Sequence, residues 1–139
     1  MRDTLLPRWT EIGAKVADLA EEFPEAHFDA RPIDGSRTVA EHLRHVAFWN
    51  EWLREHMKGG SPDGSANEIP AERLATKREI VRALRASFDG VRDDLERNGA
   101  SLEPAKAASL VSFIGYASEH YGQIVMHYRL HGLVPPASR

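Results

Sequence analysis

The sequence predicts an all-α protein built as a four-helix bundle. Three observations predict it. Four segments place apolar residues at alternating spacings of three and four, which gives a helix one apolar face. No segment alternates as a strand does, and there is no repeat. A long loop rich in Gly, Ser and Pro separates the second segment from the third. Helices of about twenty residues are about 30 Å long, the proportions of a bundle.

The first helix carries Leu5, Trp9, Ile12, Val16, Leu19 and Phe23 on one stripe, and Pro24 suits its end. From His27 to Arg37 the chain reads as a loop, with Pro32, Asp34 and Gly35 as turn residues. The second helix opens at Thr38. Its hydroxyl can cap the helix while Glu41, three residues on, reaches back: a capping box. Its stripe is Val39, Leu43, Val46, Asn50, Leu53 and Met57, with Asn50 the one polar member.

"KGGSPDGSANE" follows as loop. Extended, it spans about 40 Å, enough to return the third helix parallel to the second. Pro70 suits the first turn of that third helix. Its stripe is Leu74, Val81, Leu84, Phe88, Val91 and Leu95, and Asn98-Gly99 is a stop signal. The fourth helix runs from near Pro104 to Gly132, where Pro135 and Pro136 block continuation. Gly115 and Gly122 inside it suggest close helix approach, since glycine there costs about 1 kcal/mol relative to alanine.

The chain of 139 residues is expected to form one domain, residues 1–139. Its net charge of −3 comes without a basic block, which argues against nucleic-acid binding. It has no cysteine, so disulfides, thiolate ligands and a cysteine nucleophile are excluded. No apolar run of about 18 residues exists, so no membrane span is expected. Met1 to Leu6 lacks the apolar core of a signal peptide, and a cytoplasmic location is the expectation.

Two seams do not read as ordinary core. On the second helix His42, His45, Trp49, Trp52 and His56 recur at three-four spacing. On the fourth, Phe113, Tyr116, His120, Gln123 and His127 do the same, beside a packing stripe of Leu110, Ile114, Ala117, Tyr121, Ile124 and Tyr128. Facing each other, they would enclose a partly polar pocket. Imidazoles on facing helices are how bundles build metal sites, and neutral imidazole nitrogen suits divalent transition metals. The same residues also suit plain packing, with Trp N–H and His nitrogens seeking partners. His127 and His131 are expected to be solvated near the helix C-terminus. His27 and His56 receive no role.

"TVAEHLRHVAFWNEWL" and "EHYGQIVMHYRLHGLVPPASR" resemble two motifs of the DinB/YfiT-like superfamily of bacterial four-helix proteins. The resemblance implies an up-down-down-up bundle with a long crossover loop between helices two and three. It implies a divalent metal, zinc or nickel, held by three histidines, and in some relatives chemistry on a low-molecular-weight thiol. It also implies a homodimer acting on a small-molecule substrate. Carried over by position, His45 and His120 match two metal ligands. The third falls on Tyr116, whose phenol, with a pKa near 10, is a poor ligand. Three outcomes stay open. Tyr116 ligates or hydrogen-bonds a metal water and serves as a catalytic proton donor. Or His42 supplies the missing ligand. Or the site is metal-free, with Tyr116 hydrogen-bonded to His45 or His120 in a small-molecule pocket. The first two describe a metal-dependent transferase or hydrolase; the last describes a binding or interaction bundle.

Overall fold

A computed structural model describes residues 1–98 and 101–139. Four helices dominate it: α1 (Arg2–Glu22), α2 (Val39–Met57), α3 (Lys77–Arg97) and α4 (Pro104–Leu130). No strand occurs among the described residues. No helix among them is long and apolar enough to cross a membrane.

Contacts along the helices fix their directions. Arg2 near the start of α1 donates to the Glu96 carbonyl near the end of α3, and Lys77 at the start of α3 donates to the Phe23 carbonyl. Those two helices are antiparallel. Arg44, Asn50 and Arg54 of α2 meet Leu74, Ser87 and Asp94 in that order, so α2 and α3 run parallel. The Tyr128 hydroxyl donates to the Leu19 carbonyl and Lys15 sits over the Tyr121 ring, so α1 and α4 are parallel too. His42 touches His120 while His56 approaches Ser109, so α2 and α4 are antiparallel. The bundle is therefore up-down-down-up, as expected.

The apolar stripes make the core. All six stripe residues of α1 and all six of α2, Asn50 included, are buried. Burial of a large apolar side chain is worth about 1.5–3 kcal/mol, so such a stripe outweighs any single helix-end effect. The Thr38–Glu41 capping box forms in both directions.

The start of α3 differs from expectation. It lies at Lys77, not at Pro70. Thr76 accepts from the Glu79 backbone N–H, and the Glu79 carboxylate accepts from the Thr76 N–H. This second capping box outcompetes proline, which offers only a compatible φ. Leu74 lies before the helix, partly buried against the core. The expected stop at Asn98-Gly99 is met as far as Asn98, the C-cap; Gly99 lies outside the described residues.

The segment from Met57 to Lys77 walks back along α2. The Trp52 indole N–H donates to the Pro62 carbonyl and the Trp49 indole N–H to Asn67 Oδ1. Arg44, buried, reaches Glu68 and the Leu74 carbonyl. Long loops without secondary structure are uncommon in small domains and tend to be functional. This one is pinned to the helix by these four hydrogen bonds from three side chains.

Gly115 and Gly122 do not serve close helix approach. A Cβ built on either would meet nothing within 4 Å. Both lie on the outer face of α4.

Candidate functional site

The two aromatic and histidine seams face each other across the α2–α4 contact. Trp49 and Trp52 of α2 meet Phe113 of α4, with ring centroids 6.3 and 5.8 Å apart, and Trp52 lies nearly parallel to Phe113 at 7°. Further along, His120 of α4 sits between His45 (centroids 4.7 Å) and His42 (5.1 Å) of α2.

Between the seams lies a cavity of about 570 Å³. Val46, Trp49, Trp52, Phe113 and Ala117 give it apolar walls. His45, Asn50 and His120 are its inner polar residues, and Tyr116 and Glu119, both exposed, form its rim. This is the usual constitution of a small-molecule site: mostly apolar, with a few placed polar groups.

The walls are held from behind. Both indole N–H groups point to the crossover loop, so the rings are fixed without spending a hydrogen bond on the cavity. Gly64 of that loop packs on the Trp49 ring so closely that a Cβ there would lie 2.7 Å from it. Asn67 serves two residues at once. Its Oδ1 accepts from Trp49, and its backbone carbonyl accepts from His45 Nδ1 at 2.6 Å. It does so at φ 61°, in the left-handed region that asparagine tolerates better than most residues.

Hydrogen bonding decides the tautomers. A carbonyl can only accept, so His45 carries its proton on Nδ1 and keeps a lone pair on Nε2. His42 Nδ1 and His120 Nδ1 are 2.9 Å apart, one donating and one accepting. When His120 donates, its Nε2 also carries a lone pair. The rings are neutral at pH 7. Burial, reinforced by His120 and His127 nearby, pushes His42 down to about 3. Burial, with His45 and Arg37 nearby, pushes His120 down to about 4. Burial also lowers His45, though the Asn67 carbonyl works against it.

The structure brings His42, His45 and His120 together, and Tyr116 only to the rim. Tyr116 is 52% exposed, packs edge-on against Phe113, and makes no hydrogen bond to His45 or His120 among the described residues. His127 is buried rather than solvated, 5.7 Å from His42, with Nδ1 unpartnered. His131 is half-buried and packs against His27 at 4.2 Å. Gln123 turns outward.

The donors can be tested against the histidine-held ion that the resemblance implies. His45 and His120 fit. Each has Nδ1 anchored by a hydrogen bond and Nε2 uncommitted, the arrangement that orients imidazole ligands. His42 does not fit as the third: when it accepts from His120 at Nδ1, a neutral His42 carries its own proton on Nε2 and has no lone pair left there. Tyr116 does not fit either, for a neutral phenol is a poor ligand and this one is exposed at the rim with no hydrogen bond to either ring among the described residues. Among the described residues no three His, Asp or Glu side chains form one ligand group.

Asn50 and Asn67 are residues of this candidate site that spacing alone does not reveal. Asn50 left a trace, a polar residue inside an apolar stripe. Asn67 left none beyond its place in a loop.

A family model for the DinB superfamily matches residues 8–132 of the chain. No curated protein matches it.

Proposed function

The chain belongs to the DinB superfamily, and on that premise we propose that the α2–α4 cavity binds a small molecule beside a divalent ion held by His45 and His120. The observation that supports this reading is the pair of anchored imidazoles, each with Nε2 left over, at the inner end of an apolar cavity. An ion such as zinc or nickel would supply Lewis acidity there, for a transferase or hydrolase reaction of the thiol-dependent type. The chain's own residues do the rest. His42 orients His120, and Asn67 orients His45. The indoles and Phe113 supply apolar walls for a ligand to pack against. Tyr116, at the rim, is placed to donate a proton to a ligand entering from solvent.

With two protein ligands the ion would bind weakly, and a third imidazole should strengthen it. Zinc titration by calorimetry on protein purified without an affinity tag tests this. The expected result is one site per chain, abolished by His45→Ala or His120→Ala and tightened at least about tenfold by Tyr116→His. A parent that takes up no zinc or nickel, or takes it up equally after both alanine substitutions, overturns the reading.

One observation favours a second reading, a metal-free binding bundle: Tyr116 is exposed at the rim and hydrogen-bonds neither imidazole among the described residues. In that case the lone pair of His45 Nε2 accepts from the ligand directly. Ligand binding that survives a chelator and is lost with His45→Phe separates this reading from the first. We also propose, on the resemblance, a homodimer; a monomeric mass in light scattering at high concentration removes it.

A further inference from the structure

The inner wall of the cavity carries a polar group whose orientation follows from counting protons. Asn50 is only 3% exposed. Its side chain meets Ser87 of α3, with Nδ2 to Oγ at 3.0 Å. The Ser87 hydroxyl has one proton, and it donates that proton to the Leu84 carbonyl at 2.7 Å. Toward Asn50, Ser87 can therefore only accept. The amide must present its NH₂ to Ser87, and the flipped amide is excluded because two acceptors would face each other.

That leaves Oδ1 on the other side. It accepts from no group among the described residues. It is not sealed in either: the one fully enclosed side-chain polar atom without a partner among them is His127 Nδ1. Asn50 lines the cavity together with Val46, Trp49, Trp52 and Phe113. A carbonyl oxygen held open against aromatic and aliphatic walls, unable to rotate into a donor, is a hydrogen-bond acceptor waiting for a donor.

We propose that Asn50 is a specificity-determining residue: through Oδ1 it selects ligands that carry a neutral hydroxyl or N–H on a flat apolar body. This rests on the cavity being a ligand site, as proposed above, and adds which ligands it takes. A neutral donor is favoured over a cation because the only carboxylate on the lining, Glu119, stands at the exposed rim. An ammonium at the inner wall would lose its hydration without gaining a counter-charge. A ligand lacking the donor would leave Oδ1 buried and unpaired, and sites built to hydrogen-bond a hydroxyl reject analogues without it.

A matched pair of probes tests this: 2-naphthol, which has the donor, and 2-methoxynaphthalene, which does not. Calorimetry at pH 7 in the presence of a chelator keeps any ion out of the comparison. The parent should bind 2-naphthol about tenfold more tightly, the share of one hydrogen bond. Asn50→Leu should remove that preference by weakening 2-naphthol alone. It leaves the Ser87 hydroxyl satisfied by Leu84, so the fold is retained. Ser87→Ala frees the amide to turn and should reduce the preference with Asn50 still present. Equal affinities in the parent, or a preference that survives Asn50→Leu, overturn the proposal and leave the cavity reading standing. A preference surviving in that variant would assign donor reading to the imidazoles. If neither probe binds, the cavity reading falls and this inference with it.

Discussion

The three tryptophans divide the bundle into two kinds of interface. Trp9, between α1 and α3, is fully buried, and its indole N–H donates to the Phe88 carbonyl inside the core at 3.0 Å. Its ring packs against Phe88 at 5.0 Å. Trp49 and Trp52, between α2 and α4, are partly buried, and their N–H groups reach outward to the crossover loop. All three indoles satisfy the same demand, a partner for one N–H. Where that partner sits decides what the ring becomes. A partner within the core makes filler of it; a partner on a loop behind it leaves a face open to a ligand.

Trp9→Ala should show the largest effect. Emptying that volume ought to destabilise the protein by about 3–5 kcal/mol, read as a lowered urea midpoint. Trp52→Ala should lose less than half of that while abolishing probe binding. Equal losses of stability from the two would erase the distinction between filler and wall.

Acid should attack the polar interface and spare the dry one. His42 and His120 are held near 3 and 4 in the folded chain and return to about 6.5 on unfolding. As pH falls below about 6.5 the unfolded chain takes up protons that the folded chain refuses. The stabilisation from these neutral rings is complete above that pH and is lost as pH drops toward 4. Each ring contributes a slope of up to about 1.4 kcal/mol per pH unit. Unfolding free energies from urea titrations of chelator-treated protein at pH 7 and pH 5 should differ by about 2 kcal/mol per histidine, and His42→Leu should flatten the slope. A midpoint constant over that range would mean the rings are charged or hydrated in the fold.

Gly64→Ala is expected to move the loop off the Trp49 ring, a displacement costing about 1 kcal/mol or more and weakening probe binding more than stability. The mildest change is Asn67→Gly. It keeps the positive φ and the carbonyl for His45 but removes the acceptor from Trp49, for a loss of about 1 kcal/mol. Indole N–H resonances should report it, with Trp49 shifting and Trp9 not. An unchanged Trp49 resonance would contradict the assigned contact.

Helix stripes and the first capping box were legible in the sequence, because helical spacing is a local code. The seams were legible too, but that they face each other stood only as a condition, and the pairing of His45 with His120 came from the family resemblance. What spacing could not carry was the behaviour of the loop. Thr76 and Glu79 did stand in the sequence as a capping box, but Pro70 drew the helix start forward. Asn67 is positioned by contacts with residues far along the chain, and no local pattern announces them. The burial of His127 was hidden for a related reason: a position near a helix end reads as solvated until the end is seen to be covered. Asn50 was visible as an anomaly, yet its meaning needed Ser87 and Leu84, on another helix.

Joining two parallel helices obliges the connecting chain to travel the length of the bundle, and here that return journey runs along the back of the indoles. The shape of the recess is thereby uncoupled from the register of the helices. Insertions, deletions or exchanges in this one stretch can retune what is admitted, while the four-helix frame, stabilised elsewhere, stays as it is.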